Sequence, residues 1–340
     1  MDILIKTYYR PHLLDRCLRS IYERVNDSKY LDINVLDDGT PQKYLDKIQE
    51  KYPRVSFKFS DWREEKIQKI EKHLQGIEKY QDTRIPTDLW YTAVSESSEI
   101  LIMTEDDVWF IDDFDMHFYA QEMEKYGIQI LKLGRILSKD TQYIENRKLT
   151  EKISFHKPKY IIRSARFYKM LLKNSFKLKT FLEKLHLLPE GWRKQLWTMY
   201  DIPMGMYRKD YLKFLWKDQY KRVVEDLQLI NAVDWDLNFS AQGELGMHKY
   251  TLLNNRVMAT SYRSSASFNS FNIEEHFDLV RFNYILNELW YEGKFDSYEN
   301  FPEDFSVDYI YRILLENENK HFADKWKKWT ESFIEMHKGS

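Results

Sequence analysis

Apolar and polar positions alternate through the first 111 residues in a regular order of strands and helices. The short apolar runs, each typical of a buried strand, are residues 3–7, 33–36, 55–59 and 100–103. The segments with helical spacing are residues 11–22, 43–51 and 63–80, the first of which carries Pro11 in its opening turn. This alternation predicts an α/β fold with a mixed, mostly parallel sheet and flanking helices.

Acidic side chains follow two of these strands at the point where each strand ends. Asp37 and Asp38 end the second strand, and Glu105, Asp106 and Asp107, here called the acidic triplet, end the fourth. Three adjacent carboxylates repel one another and lose hydration, so a fold that keeps them supplies a cation or hydroxyl groups. Hard oxygen ligands of this kind suit Mg²⁺ or Mn²⁺. A solvated acidic turn would also explain the triplet, but the shared sheet edge of both clusters favours a ligand site.

The second half of the chain contains a strongly basic insert. Residues 151–194 contain twelve Lys or Arg against three acidic residues, a net charge of +9. Apolar positions interleave with the basic ones and predict a helix that is basic on one side and apolar on the other. Such a helix can lie on an anionic membrane surface or receive an anionic acceptor. A solvated face packed on the domain is the alternative, and nucleic acid is not expected because no binding motif accompanies the charge.

Composition and the remaining pattern limit the possible classes of protein. With 340 residues and a formal net charge of -2, the chain fits one large or two ordinary domains and has no overall field that attracts nucleic acid. Cys17, the only cysteine, excludes an internal disulfide and is expected to be a small buried side chain. Apolar stripes at residues 307–315 and 322–333 predict packing helices. The start of the chain is unlike a signal peptide and no apolar run approaches a membrane span, so a cytoplasmic protein is expected, with possible peripheral contact at the inner face of the cell membrane.

Three motifs, in order, resemble family 2 glycosyltransferases. The Thr-Tyr-Tyr-Arg-Pro run at residues 7–11 is similar to the family's opening strand and turn, and residues 34–40 are similar to its Val-Val-Asp-Asp-Gly-Ser segment. The acidic triplet resembles the family's Asp-x-Asp metal motif. The resemblance implies the GT-A fold and an inverting, metal-dependent transfer of a hexose or N-acetylhexosamine from a nucleotide-diphosphate donor. It favours a uridine-linked donor and a glycan or anionic lipid-linked acceptor of surface polysaccharide biosynthesis.

The resemblance also assigns roles to individual residues. Asp107 and Glu105 are the implied ligands of Mn²⁺ or Mg²⁺, and Asp38 is the implied contact that reads the base. Glu105 and Asp106 would face the hydroxyls of the ribose and the donor sugar. The remaining implied nucleotide or donor contacts are Thr7, Tyr9 and Arg10, although an Arg in a first helical turn is often simply solvated.

Inverting transfer needs a carboxylate that removes the proton from the acceptor hydroxyl. Residues 233–257 resemble the family segment that supplies this base, and the resemblance places Asp234 in that position. The alternative is that Asp234 opens a helix and is stabilised by the helix dipole. Asp236 is expected to serve the helix itself. Glu225 and Asp226 form a rival acidic pair, whose surroundings match nothing in the family.

The chain departs from the family pattern at several positions. Tyr9 replaces the usual Asn, and Leu89 and Trp90 stand where the family commonly has an Arg-Asn pair. Arg84 is the candidate substitute for that pair. Residues 259–264, directly after the last core strand, contain no histidine, and His276 comes later. Arg263, in a Ser-rich loop, is therefore the candidate for neutralising the diphosphate, with an ordinary surface Arg as the alternative.

Other classes of protein explain these residues less well. A noncatalytic sugar-binding or scaffold protein on a decayed fold is the main rival, because the missing Arg-Asn pair could mean lost activity. A haloacid dehalogenase-like phosphatase is excluded because Leu36 occupies the nucleophile position, and a sugar nucleotidyltransferase lacks its Gly-rich loop. The expected organisation is a nucleotide-sugar half at 1–111, an acceptor half at 112–262 with the helical insert at about 139–200, and a C-terminal helical extension at 263–340.

Overall fold

The computed structural model describes residues 1–134, 145–201, 203–218, 224–239, 249–260 and 277–337. Its centre is a nine-stranded sheet with the order β3-β2-β1-β4-β9-β6-β10-β8-β7, and a two-stranded sheet pairs β11 with β5. The strands are β1 (Asp2–Thr7), β2 (Asp32–Asp37), β3 (Ser56–Phe59), β4 (Ile100–Glu105), β5 (Val108–Phe110), β6 (Ile128–Lys132), β7 (Glu145–Lys148), β8 (Ile153–Lys157), β9 (Met204–Arg208), β10 (Lys249–Leu253) and β11 (Met258–Thr260). In the nine-stranded sheet only β9 and β8 run against the other strands.

Helices cover both faces of the large sheet. They are α1 (Pro11–Arg24), α2 (Gln42–Lys51), α3 (Arg63–Leu74), α4 (Thr87–Glu96), α5 (Met116–Tyr126), α6 (Ala165–Leu172), α7 (Leu178–Lys184), α8 (Lys209–Leu215), α9 (Glu225–Asp234), α10 (Leu279–Tyr291), α11 (Val307–Asn317) and α12 (Lys320–His337). The predicted α/β class is confirmed, as are the mostly parallel sheet, a helical insert and a C-terminal helical extension. No helix among the described residues is both long and apolar enough to cross a membrane.

Alternation of side chains along β1 divides the core into two layers. Ile3 and Ile5 are completely buried on one face with α1, and Leu4 is buried on the other face. Successive strand residues point to opposite faces, so a strand buried on both sides needs an uninterrupted apolar run. This is why the N-terminal run could be recognised as a strand. Cys17 is buried on α1, as expected.

The order of the first four strands creates a topological switch point. β2 and β3 lie on one side of β1, and β4 lies on the other side, paired in parallel with β1. In open α/β sheets, ligands bind in the crevice beyond the carboxyl ends of the strands at such a point. The turn after β1 and the acidic triplet after β4 border this crevice.

Two predicted elements differ from the structure. The helix predicted at residues 63–80 ends at Leu74, and its last turn closes through Gly76, which has a φ of +72°. The insert predicted as helical from about residue 139 contains β7 and β8, which extend the sheet before α6 begins. Both errors arise because polar, solvent-facing segments carry little periodicity.

Candidate active site

The acidic triplet is anchored at the junction of β1 and β4. The backbone N–H of Asp106 donates to the carbonyl of Lys6 (3.0 Å), so the triplet begins as a continuation of the sheet ladder. Asp106 and Asp107 are each only 1 % exposed. The triplet is therefore a buried cluster, and the solvated acidic turn considered above is wrong.

Three side chains from β1 and the following turn contact the triplet. Lys6 Nζ pairs with Glu105 (2.6 Å), and the Thr7 hydroxyl donates to Asp106 (2.8 Å). The Arg10 guanidinium donates to both oxygens of Asp106 and lies 3.8 Å from Asp107. Bidentate pairing of this kind is the strongest common geometry between Arg and a carboxylate.

The triplet carries three negative charges against the two positive charges of Lys6 and Arg10, which leaves one negative charge in the cluster. Burial raises the pKa of Glu105, but the Lys6 ammonium and the Arg10 guanidinium outweigh burial, and the pKa ends below its ordinary value. Glu105 is therefore ionised at neutral pH. Lys6 and Arg10 thus neutralise part of the negative charge for which the sequence predicted a bound cation.

A divalent cation still fits the donor set in atom type and charge. Among the described residues, no group of three or more His, Cys, Asp or Glu side chains is arranged to hold a metal ion. Mg²⁺, however, is commonly held through one or two carboxylates together with substrate phosphates and water. Asp107 and Glu105 could supply the carboxylates in such an arrangement.

The two acids at the end of β2 have different structural roles. Asp37 is fully buried and accepts hydrogen bonds from the backbone N–H groups of Gly39 (3.2 Å) and Thr40 (3.1 Å) and from Arg63 Nε (3.0 Å). Burial raises the pKa of Asp37 to about 6, although these donors act to lower it. Asp37 therefore braces the turn.

Asp38 contacts side chains from the segment that follows β3. It accepts hydrogen bonds from Ser60 (2.6 Å) and from the Lys66 ammonium, and it is 5 % exposed. Gly39 between these acids has a φ of +149°, and a Cβ there would meet the Tyr8 ring at 3.1 Å and Lys66 Cβ at 3.3 Å. Glycine is therefore required by close packing around Asp38 as well as by the backbone angle.

Tyr9, which the resemblance assigned to the nucleotide, is buried, whereas its neighbour Tyr8 is partly exposed. Tyr9 has a φ of +52°, and its ring is 2 % exposed within the core, so it offers no stacking surface to a base. Tyr8 is half-buried beside Lys66, with the ammonium 5.2 Å from the ring centroid. The left-handed backbone at Tyr9 redirects the chain, which the linear motif does not reveal.

Arg84 forms a local ion-pair cluster. Its guanidinium pairs with Asp82 and with Glu65 (2.9 Å). Its backbone carbonyl accepts a hydrogen bond from Lys66 (2.7 Å), so Arg84 contacts the crevice through its main chain. The proposed replacement of the family's Arg-Asn pair by this side chain stays a prediction. Arg263 lies outside the described residues.

Asp234 ends a helix and does not begin one. It is the last residue of α9, and a π-helical turn (Trp235–Phe239) follows. Its carboxylate pairs with Lys217 (3.0 Å) and accepts a hydrogen bond from Asn238 (2.6 Å). The alternative of a carboxylate stabilised at a helix N-terminus is therefore wrong, because the helix dipole at this end favours cations such as Lys217.

Strand register locates this end of α9 relative to the triplet. Asp236 accepts a hydrogen bond from Tyr250 on β10 (3.0 Å). In the sheet, Tyr250 is paired with Ile130 on β6, Ile130 with Tyr207 on β9, and Tyr207 with Leu101 on β4. Leu101 stands four positions before the triplet, which corresponds to about 13 Å along a strand. The C-terminal end of α9 therefore lies toward the amino end of β4, away from the switch-point crevice.

The first turn of α9 lies nearer to the triplet. β9 begins opposite Thr104, so Tyr200, just before β9, reaches the sheet at the triplet's edge. Burial raises the pKa of the Tyr200 hydroxyl, and the charges of Glu225 and Glu105 raise it further, so the hydroxyl lies within electrostatic reach of both acids. Glu225 itself has a raised pKa because it is partly buried. Asp226 beside it pairs with Arg193 (2.6 Å).

Aromatic side chains connect these two acidic regions. Lys6 Nζ lies 4.9 Å from the Trp90 ring centroid, and the Trp90 ring is 5.7 Å from that of Trp216. Trp216 donates from its indole N–H to the Tyr200 hydroxyl (3.3 Å). The sequence showed only that Trp90 departs from the family pattern. The sequence motifs did not identify Lys6, Lys66, Tyr200 or this aromatic cluster. Their contacts join segments that are far apart in the chain, whereas a motif describes only neighbouring residues.

Comparisons with known proteins were made at the level of both sequence and structure. No protein-family model matches the chain, and no curated protein matches it in sequence. Several of the solved structures that it resembles carry the names of glycosyltransferases. S. aureus TarS 1-349 is 14 % identical, with 95 % of this chain and 71 % of that chain covered and a TM-score of 0.42.

Two further solved structures have similar values. The mannosyltransferase PcManGT from Pyrobaculum calidifontis, in complex with GDP-Man and Mn²⁺, is 11 % identical over 96 % of this chain and 71 % of that chain, with a TM-score of 0.40. The glucosyl-3-phosphoglycerate synthase from Mycobacterium tuberculosis, in complex with Mg²⁺ and UDP, is 12 % identical over 87 % and 80 %, with a TM-score of 0.35. At these values the assignment of function depends on the site itself.

Proposed function

We propose that this protein is a glycosyltransferase that moves a sugar from a nucleotide-diphosphate donor to a glycan or lipid-linked glycan acceptor. The observation that carries the proposal is the buried acidic triplet at the switch point, held by Arg10 and Lys6. Burying three carboxylates is costly unless the site uses them, and the switch-point crevice is where α/β sheets bind nucleotides. A uridine-linked donor is the proposed class, with the base beside Asp38 and Tyr8.

In this proposal the donor's diphosphate lies in the crevice beside the triplet, which Arg10 contacts directly. Asp107 and Glu105 would hold Mg²⁺ or Mn²⁺, which supplies neutralisation of charge on the departing phosphate. Arg10 contributes a fixed positive charge from within the protein. Glu105, the most exposed carboxylate of the triplet, would accept hydrogen bonds from donor hydroxyls, since it has more acceptor positions than Lys6 occupies. Asp106, which the resemblance also assigned to these hydroxyls, is fully buried against Thr7 and Arg10 and would instead hold Arg10 in place.

The acceptor hydroxyl needs a base on the opposite side of the anomeric carbon. We propose that Glu225 or Asp226, in the first turn of α9, accepts this proton, with Glu225 favoured because Asp226 is paired with Arg193 (2.6 Å). The new bond forms between the acceptor oxygen and the anomeric carbon as the bond to phosphate breaks, and the configuration inverts. Asp234, assigned by resemblance, remains the rival base. One of its carboxylate oxygens is paired with Lys217, and the other accepts a hydrogen bond from Asn238.

A donor screen tests the proposed activity. Release of nucleoside diphosphate is measured for UDP-, GDP- and ADP-sugars, with Mn²⁺ and with a chelator. Asp107→Ala is expected to reduce metal-dependent turnover at least 100-fold, on the order of the loss of one transition-state charge contact. Asp112→Ala, which removes an exposed carboxylate five residues away, should leave turnover unchanged.

The same assay separates the possible bases and the noncatalytic alternative. Glu225→Gln and Asp226→Asn are compared with Asp234→Asn, and donor binding is measured by calorimetry for each variant. Loss of transfer with intact donor binding identifies the base. Donor binding by the wild-type protein without turnover of any donor would favour the noncatalytic sugar-binding protein, and absence of both would overturn the proposal.

A further inference from the structure

The basic insert ends in a projecting helical hairpin, defined here as residues 162–187. It consists of α6 and α7 joined by a short turn. α6 is anchored, because Tyr168 (1 % exposed) and Leu171 (0 %) are buried and α6 packs on α9. None of the residues of α7 is buried. The hairpin is therefore held at its base and free at its tip.

Exposed apolar side chains are frequent along this hairpin. Of the twelve large hydrophobic side chains exposed among the described residues, five belong to the hairpin. They are Ile162 (50 %), Phe176 (96 %), Phe181 (58 %), Leu185 (51 %) and Leu187 (59 %). Part of the insert's apolar surface packs on the domain, as the alternative considered from the sequence expects, because Tyr168, Leu171 and Leu182 lie in or against the core; these five side chains do not. Several large apolar side chains exposed on one hairpin indicate contact with an apolar phase or partner.

The tip has an unusual backbone that is held in place locally. Asn174, Phe176 and Lys177 all have positive φ values, of 48°, 54° and 58°. For a bulky residue such as Phe176 this conformation is strained. Asn174 bonds to Thr180 through both its amide oxygen (3.2 Å) and its amide nitrogen (3.0 Å), which fixes the turn. The structure therefore keeps an almost fully exposed aromatic ring at the apex.

Positive charge surrounds the apolar cluster. The hairpin contains seven Lys or Arg and one acidic residue, Glu183, a net charge of +6. Among the described residues, Lys179 alone of the seven has an acidic partner, at 3.9 Å from Glu183. Basic groups elsewhere in the fold are commonly paired, so the hairpin's charge is directed outward. Apolar rings among unpaired cations match the interface of an anionic bilayer, where rings enter the acyl boundary and cations contact headgroups.

We propose that the hairpin at residues 162–187 docks this protein on an anionic lipid surface, with Phe176 and Phe181 inserted at the interface. Nucleic acid would use the cations but would leave the apolar side chains in water. A protein partner would need a groove complementary to a strongly curved tip. The proposal is independent of the glycosyltransferase proposal, because docking requires neither donor nor catalysis.

Co-sedimentation with vesicles tests the docking. The full chain, without donor, is mixed with vesicles of equal parts phosphatidylglycerol and phosphatidylcholine, or of phosphatidylcholine alone. Binding is expected only to the anionic vesicles and should weaken as salt is raised. Phe176→Ser with Phe181→Ser should reduce the partition coefficient by about 10-fold or more, because each ring loses its burial.

Matched variants distinguish the hairpin from general surface effects. Tyr30→Ser with Ile77→Ser removes apolar groups of similar exposure (65 % and 68 %) elsewhere and should not change binding. Lys177→Glu with Lys184→Glu should abolish binding, whereas Lys325→Glu with Lys328→Glu should weaken it only slightly.

Three outcomes would overturn the proposal. They are equal binding to neutral vesicles, unchanged binding of the double Phe variant, and self-association that the double Phe variant abolishes without any vesicle binding. The last result would identify a second copy of the chain as the occupant. Far-UV circular dichroism confirms that each variant is folded.

Discussion

Charged side chains are paired and largely buried in the switch-point crevice, but mostly unpaired with acids and exposed in the hairpin at residues 162–187. In the crevice every carboxylate of the acidic triplet has Lys6 or Arg10 within ion-pair distance, and all of these groups are largely buried. In the hairpin most cations lack an acidic partner among the described residues and face solvent. A buried charge must be paired or it destabilises the fold, whereas a hydrated charge need not be. The charged side chains of the crevice therefore stabilise the fold as ion pairs, whereas those of the hairpin are available to bind an external partner.

The largest expected effect comes from removing the buried cation of the crevice. Arg10→Ala leaves Asp106 and Asp107 buried without their bidentate partner and should lower the free energy of unfolding by about 3–5 kcal/mol. Urea denaturation measures this loss. Arg10→Ala combined with Asp106→Asn should recover part of the stability, because one uncompensated charge is removed. A loss below about 1 kcal/mol in the single variant would show that the pair is not a structural element.

A titration tests the same contrast between buried and exposed groups. His12 is 2 % exposed, and burial lowers its pKa to about 4 from an ordinary value of 6.5. Because the folded state disfavours the protonated ring, stability is complete above pH 6.5 and falls as pH decreases from 6.5 toward 4. The loss attributable to His12 is about 3 kcal/mol, from the size of this shift.

The control for this titration is His12→Gln, which keeps a neutral hydrogen-bonding side chain. This variant should show a flatter dependence of unfolding free energy on pH between 6.5 and 4. If wild type and variant lose stability in parallel, the acid sensitivity comes from other groups.

Asn287 connects the C-terminal extension to the crevice. Its amide donates to the Tyr9 carbonyl (3.1 Å), and its oxygen lies 2.7 Å from His12 Nδ1. Asn287→Ala leaves buried groups unsatisfied on both sides and should cost about 2 kcal/mol. Asn317→Ala, which removes an exposed side chain bonded only within its own helix, provides the matched comparison in thermal denaturation. Equal effects of both substitutions would contradict the role of Asn287 as a connector.

The smallest effect is expected in the hairpin. Phe176→Ser and Lys184→Ala should each change the free energy of unfolding by less than about 0.5 kcal/mol, because both side chains are exposed and unpaired among the described residues. Denaturant midpoints measure this. A decrease of more than about 1 kcal/mol in the free energy of unfolding would mean that the tip is packed in solution. The contrast between exposed charge in the hairpin and buried charge in the crevice would then not hold.

Local patterns were sufficient for the elements and for one half of the site. The apolar runs on β1, β2 and β4 predicted buried strands, and the polar residues that follow them predicted the position of the acidic triplet. The terminal stripes predicted α11 and α12. These predictions succeeded because a strand buried on both faces appears as an apolar run, and an amphipathic helix as a periodic pattern, among residues that are neighbours in the sequence. The short helix α4 and the strands β7 and β8 have weaker patterns and were not predicted.

The partners of the site depended on the tertiary structure. The sequence determined that the chain is an α/β protein with acidic residues at strand ends and a basic insert. Only the fold decided that Lys6 and Arg10 pair with the triplet, that Tyr9 is buried while Tyr8 faces Asp38, and that the two ends of α9 lie at different levels of the sheet. The reason is physical: side-chain type is local, whereas ion pairing and burial depend on which distant segments the sheet order brings together.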